Sequence, residues 1–125
     1  MLCKDHIKQI KQKLGISGVL SEEYTWSVRA TEDNDIDSGT QIDLLIDRRD
    51  HVINLCEIKF AADLFEIDKS YNAVLRNKTE VFRKITKTKK SLQLTMISTY
   101  GVKNGKYSNM IGSEVVLDDL DDLFG

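Results

Sequence analysis

No run of the 125 residues comes near the ~18 consecutive apolar residues that a membrane-spanning helix needs. The N-terminal stretch MLCKDHIKQIKQK has basic residues but no continuous apolar segment, so it does not read as a secretory signal. Cysteine is scarce. Cys3 and Cys56 are too few for a disulfide framework and too far apart for a CxxC metal or redox motif, so they read as reduced thiols. A soluble, cytoplasmic chain with no membrane partner is the expectation. Histidine occurs only as His6 and His51, on a surface helix and a turn; without a GxSxG elbow, they give no basis for a Ser/His/Asp hydrolase. No GxxxxGK[ST] phosphate loop, helix-turn-helix, zinc finger or internal repeat is present.

What the chain has is one domain's worth of sequence, residues 1–125, long enough to bury roughly 65% of its unfolded surface. Hydrophobic residues at 41% and charged ones at 30% exclude overall disorder. The net charge of −2 is unevenly spread: residues 68–90 hold eight Lys or Arg against two acids. Acids gather at 32–37 and in the tail at Asp118, Asp119, Asp121 and Asp122. The local basic excess is enough for a modest non-specific DNA footprint through Lys69, Arg76, Lys78, Arg83 and Lys84, the competing reading being a solvated helix face.

Hydrophobic periodicity divides the chain. Ile7, Ile10 and Leu14 recur at helical spacing over 3–14, and Gly15 ends that helix. Tyr24, Trp26 and Val28 alternate with polar residues as in a half-buried strand. The acidic loop 31–39 has turn composition and lacks the Gly and Glu positions of an EF-hand. Strands are expected at 40–47 and 51–60. From Asp68 to Lys87, Ile67, Tyr71, Val74, Leu75, Val81, Phe82 and Ile85 form one apolar helical stripe. Lys78 falls in its centre, so its ammonium must either return to solvent or reach a polar site on the sheet. Ser91–Tyr100 and Ser113–Leu117 read as further strands. The helix between the third and fourth strands is the crossover that parallel pairing requires.

The densest strand pair, GTQIDLLIDRRDHVINLCEIKF at 39–60, carries Asp43, Glu57 and Lys59 inside apolar sequence. Strand alternation puts Glu57 and Lys59 on one face about 7 Å apart, with Cys56, Ile58 and Phe60 on the other. Unpaired charge in an apolar interior costs several kcal/mol, roughly, so the trio implies mutual compensation or a metal ion. Gln41 lies one step of alternation from Asp43 on its face, as a supporting group; Asp47, two steps away, reads either as a further ligand or, beside Arg48 and Arg49, as part of a plain surface turn.

Asp43, thirteen intervening residues and then Glu57-Ile58-Lys59 resemble the PD-(D/E)xK nuclease superfamily. More narrowly, that stretch with LTMISTYG at 94–101 looks like the C-terminal nuclease-like domain of prokaryotic AAA-type ATP-binding proteins. The chain contains no proline, and Ile42 stands where the superfamily motif has one. The resemblance implies a mixed α/β, restriction-endonuclease-like core: a central sheet of about five strands with flanking helices, in the order α-β-β-β-α-β-β. It implies a DNA nuclease in which Asp43 and Glu57, with the Ile58 carbonyl, hold Mg²⁺ or Mn²⁺, and Lys59 orients or deprotonates the attacking water or stabilises the phosphate. Gln41 and Lys78 are the supporting groups. An AAA-type ATPase, as domain or separate chain, and a second copy of the chain are the candidate protein partners. A catalytically silent module that binds nucleic acid or the ATPase is the alternative.

Overall fold

The computed structural model describes residues 4–33 and 38–116, with side chains from His6 onward. The elements run α1 (Lys4–Lys13), β1 (Ser21–Val28), β2 (Thr40–Arg48), β3 (Val52–Lys59), α2 (Lys69–Thr86), β4 (Ser91–Ser98) and β5 (Ser113–Val116), with a short 3-10 turn at Ser108–Met110. The order of helices and strands is the one expected. Leu117, the acidic tail and residues 34–37 lie outside the described residues.

The five strands form one mixed sheet in sequence order, β1 to β5. β1–β2 and β2–β3 pair antiparallel, whereas β3–β4 and β4–β5 pair parallel. Local chemistry explains the change of sense. β2 and β3 are joined by a tight turn in which His51 takes a positive φ of 69°, while β3 and β4 are separated by α2, the crossover a parallel pair needs. At the β1–β2 connection, Gly39 is required by close approach: a Cβ there would lie 2.6 Å from the Val28 carbonyl oxygen.

A helix covers each face of the sheet. On one, Ile10, Leu14 and Ile16 from α1 and its C-terminal extension pack against Leu44, Ile46, Cys56, Ile58, Ile97 and Val115. On the other, Phe82 of α2 packs against Ile42, Leu45, Ile53 and Leu55, with Trp26, Leu92 and Leu94 at the margin. Burying a side chain such as Leu55 or Phe82 contributes roughly 1.5–3 kcal/mol. The Trp26 and Phe82 rings meet edge to face at 5.0 Å. Val74, assigned to the apolar stripe by spacing, is 44% exposed.

Strict alternation fails at one place in β2. Tyr24 pairs with Leu45 but Trp26 with Ile42, so β2 advances three residues while β1 advances two. This is a β-bulge in which Asp43 and Leu44 oppose Thr25. Its effect appears in the core: Ile42 joins Leu45 on the α2 face, while Leu44 and Ile46 lie on the α1 face.

Both ends of α2 are fixed by their own chemistry. The Asp68 side chain accepts a hydrogen bond from the Tyr71 N–H at 2.8 Å. At the other end Lys87, at φ 56°, returns its N–H to the Arg83 carbonyl at 2.8 Å. The helix is thereby held in register against β3, which decides what Tyr71 and Lys78 meet.

Candidate active site

Ile53, Leu55, Glu57 and Lys59 share a face by the period of the strand, and Ile53 and Leu55 belong to the α2 core. Glu57 therefore points under α2, where only 2% of the residue is exposed. Lys78, in the middle of α2, meets it: Lys78 Nζ lies 2.5 Å from Glu57 Oε1. Of the two readings of Lys78, the one that takes its ammonium to the sheet holds; its side chain is 14% exposed and does not return to solvent.

The bulge brings Asp43 to the same place. Glu57 Oε2 accepts the Asp43 backbone N–H at 3.3 Å, and Asp43 Oδ2 accepts the Ile58 backbone N–H at 2.9 Å. The two strands thus exchange side-chain-to-backbone bonds beyond Leu44–Cys56, where their regular ladder ends. Asp43 Oδ1 receives no hydrogen bond from the described residues. Burial pushes the Glu57 carboxyl up from its ordinary value; the Lys78 ammonium opposes this by hydrogen bond and charge, and the Asp43 charge adds to it.

Lys59 is on the expected face but not on a carboxylate. Its ammonium lies over the Tyr71 ring, 5.0 Å from the centroid, a cation–π contact. Tyr71 is wedged edge to face against Phe65 at 5.3 Å. Its hydroxyl is buried without a hydrogen-bond partner among the described residues. Burial, then the charges of Glu57 and Asp43, hold that phenol well above its ordinary pKa, so it remains a donor. The residues read from the sequence did not include Tyr71 as part of this cluster; its place four residues into the apolar stripe marked it only as core.

The other expected members do not join. Gln41 is exposed and pairs with Ser27, and the bulge places it on the face opposite Ile42 and away from Glu57. Asp47 is taken by Lys90 at 2.6 Å. Among the five basic residues assigned to nucleic acid, Lys78 is turned inward to Glu57, and the Arg83 guanidinium donates to the Thr88 and Lys90 carbonyls. Lys69, Arg76 and Lys84 are exposed. The first two stand seven positions apart, on one side of α2.

The donor set suits a hard divalent cation: two carboxylates from adjacent strands, one Asp43 oxygen having no donor among the described residues. No group of three or more His, Cys, Asp or Glu suited to a metal occurs among the described residues. Mg²⁺ is commonly held by one or two carboxylates and keeps its waters, so two are sufficient.

A second polar cluster lies across the α1 side. Asn54, 1% exposed, donates to Gln93 Oε1 at 3.1 Å and Thr95 Oγ1 at 3.0 Å, and accepts from Arg48 at 3.1 Å. Thr95 and Ser113 hydroxyls lie 2.9 Å apart. Every one of these groups is satisfied within the network, as a structural role requires.

The chain matches no protein-family model and no curated protein. Among solved structures it is similar to AF1548, a protein of unknown function, with a TM-score of 0.51 and 15% identity over 85% of this chain. This chain spans about half of that protein, 53% of its length. The likeness is one of fold, a mixed α/β arrangement. Among the described residues no helix is long and apolar enough to cross a membrane.

Proposed function

We propose that this chain is a restriction-endonuclease-like domain that hydrolyses phosphodiester bonds in DNA with a divalent metal. The observation that carries the reading is the meeting of Asp43 and Glu57: two carboxylates on adjacent strands, one held by the Asp43 N–H and the other by the Ile58 N–H, at the point where β2 bulges. The strand order, with antiparallel β1–β2–β3 and parallel β3–β4–β5, supports the fold assignment.

Asp43 and Glu57 would hold Mg²⁺ or Mn²⁺, which when bound supplies a Lewis acid for the phosphate oxygen and the attacking water. The chain's own residues do the rest. Lys59 has no carboxylate partner among the described residues, so its ammonium is available to a phosphate, and the Tyr71 ring limits where that ammonium sits. Lys69 and Arg76 on the outer side of α2 supply attraction to the DNA backbone without base readout. An AAA-type ATPase is the partner we propose as the source of specificity, because no base-reading motif is present in the sequence.

The second reading, a silent module of the same fold, is favoured by one observation: Lys78 already neutralises Glu57. Nicking of supercoiled plasmid in Mn²⁺ separates the two. The nuclease reading expects open-circle product from the wild type and none from Glu57→Ala; equal product from both, or none from the wild type, contradicts it.

A further inference from the structure

Among the described residues, the ion pair of Glu57 and Lys78 is unlike Arg48–Asp50 and Lys90–Asp47. Arg48–Asp50 and Lys90–Asp47 each have a side chain at least 29% exposed, whereas Glu57 and Lys78 are 3% and 14% exposed. A buried pair seldom repays its desolvation, and a purely structural contact here has an apolar substitute at hand. Lys78 sits in a helix whose buried residues are Leu75, Val81 and Phe82, so a Met or Leu would extend that surface. Nor is Lys78 needed because no other lysine is near. Lys59 shares a face of β3 with Glu57, two residues away, yet keeps its ammonium over Tyr71. The fold thus brings a second lysine from another element to an acid that already has one close by.

The position this ammonium takes is informative. It contacts Glu57 Oε1, while Glu57 Oε2 and Asp43 Oδ2 are held by backbone N–H groups; among the described residues none donates to Asp43 Oδ1. The backbone bonds fix the carboxylates in place, and they do not bring positive charge. Lys78 does. A cation ligated by Glu57 Oε1 at about 2.1 Å cannot share that oxygen with an ammonium in hydrogen-bond contact without strong like-charge repulsion.

We propose that Lys78 is a built-in counter-cation at Glu57 that a divalent metal must displace, so that Lys78 sets the metal affinity of the site. This rests on the metal-dependent reading above. In the metal-free protein Lys78 keeps two adjacent carboxylates from destabilising the sheet; when metal enters, its four-carbon stem lets the ammonium leave along the helix flank. The effective metal affinity is reduced by the free energy of breaking the pair.

The test is calorimetric titration of the 125-residue chain with Mn²⁺ alone, comparing wild type, Lys78→Gln, Lys78→Arg and Glu57→Ala. Lys78→Gln removes the charge but retains a hydrogen-bond donor for Glu57, so the fold is preserved where Lys78→Met endangers it; circular dichroism verifies this. The expected result is Mn²⁺ affinity at least tenfold tighter for Lys78→Gln, no tightening for Lys78→Arg, and loss of binding for Glu57→Ala. Equal affinity for wild type and Lys78→Gln, with binding still lost in Glu57→Ala, overturns the role of Lys78 and leaves the metal reading standing. Absence of Mn²⁺ binding by both wild type and Lys78→Gln overturns both.

Discussion

Lys78 and Glu57, twenty-one residues apart in sequence, form a buried ion pair with Nζ 2.5 Å from Oε1, and this contact ties the middle of α2 to the end of β3. Removing one partner of such a pair leaves the other charge stranded. Lys78→Met should therefore destabilise the metal-free fold by about 3 kcal/mol, and adding Glu57→Gln should recover most of that loss. Urea denaturation of both single variants and the double variant closes the cycle; additive losses would show that the pair is not coupled.

The start of α2 is set by Asp68, whose carboxylate receives the Tyr71 N–H. Asp68→Ala should cost about 1 kcal/mol, and Asp68→Ser or Asp68→Asn much less, because these side chains still cap. Thermal midpoints of the three variants check this, and an unchanged midpoint for Asp68→Ala would remove the cap from the account.

Cys56 gives the pH dependence. Burial first, with smaller contributions from the neighbouring Glu57 and Asp43 charges, pushes its thiol up to about 12 from an ordinary 9.0. Between those values the unfolded chain has lost the proton that the folded chain keeps. The stabilisation is complete below about pH 9 and declines as pH rises toward 12, by about 1.4 kcal/mol at pH 10. Urea midpoints at pH 8 and pH 10 for wild type and Cys56→Ala isolate the thiol's share: the variant should show the smaller decline.

How far the sequence could be read depended on which physical rule governed each residue. Both ends of α2 were legible within a residue, since Asp68 caps and the apolar stripe stops at Ile85. Period two placed Glu57 and Lys59 on one face and Cys56 and Ile58 on the other. Gln41 was misplaced because the bulge at Asp43–Leu44 carries no Gly or other local marker, and one extra residue reverses every face beyond it. Lys78 in an apolar stripe announced two destinations but not the choice, which depends on the depth of Glu57 beneath α2. Tyr71 and Asn54 were missed for a shared reason: their partners Lys59, Gln93 and Thr95 come from other elements; the parallel register sets Asn54 beside Gln93, and the packing of α2 on β3 sets Tyr71 beside Lys59.

The outer side of α2 makes its own prediction. If Lys69 and Arg76 meet phosphates, the double variant Lys69→Gln/Arg76→Gln should weaken DNA binding across all sequences and lower the slope of log K against log salt by about 1.8, two contacts at about 0.9 each. Fluorescence anisotropy from low to moderate salt measures that slope. An unchanged slope would make this a solvated helix face.

Asp43→Asn tests, with least disturbance to the fold, the proposal that Asp43 and Glu57 form a site that hydrolyses DNA. The amide oxygen can still accept the Ile58 N–H that Asp43 Oδ2 accepts at 2.9 Å, while the negative charge is gone. Single-turnover cleavage of end-labelled linear and branched duplexes in Mn²⁺, by wild type and Asp43→Asn, is the measurement. The expected result is measurable cleavage by the wild type and a loss of about a hundredfold or more in the variant, at a thermal midpoint close to wild type. Equal cleavage by the two proteins, or none by the wild type on either substrate, would contradict it.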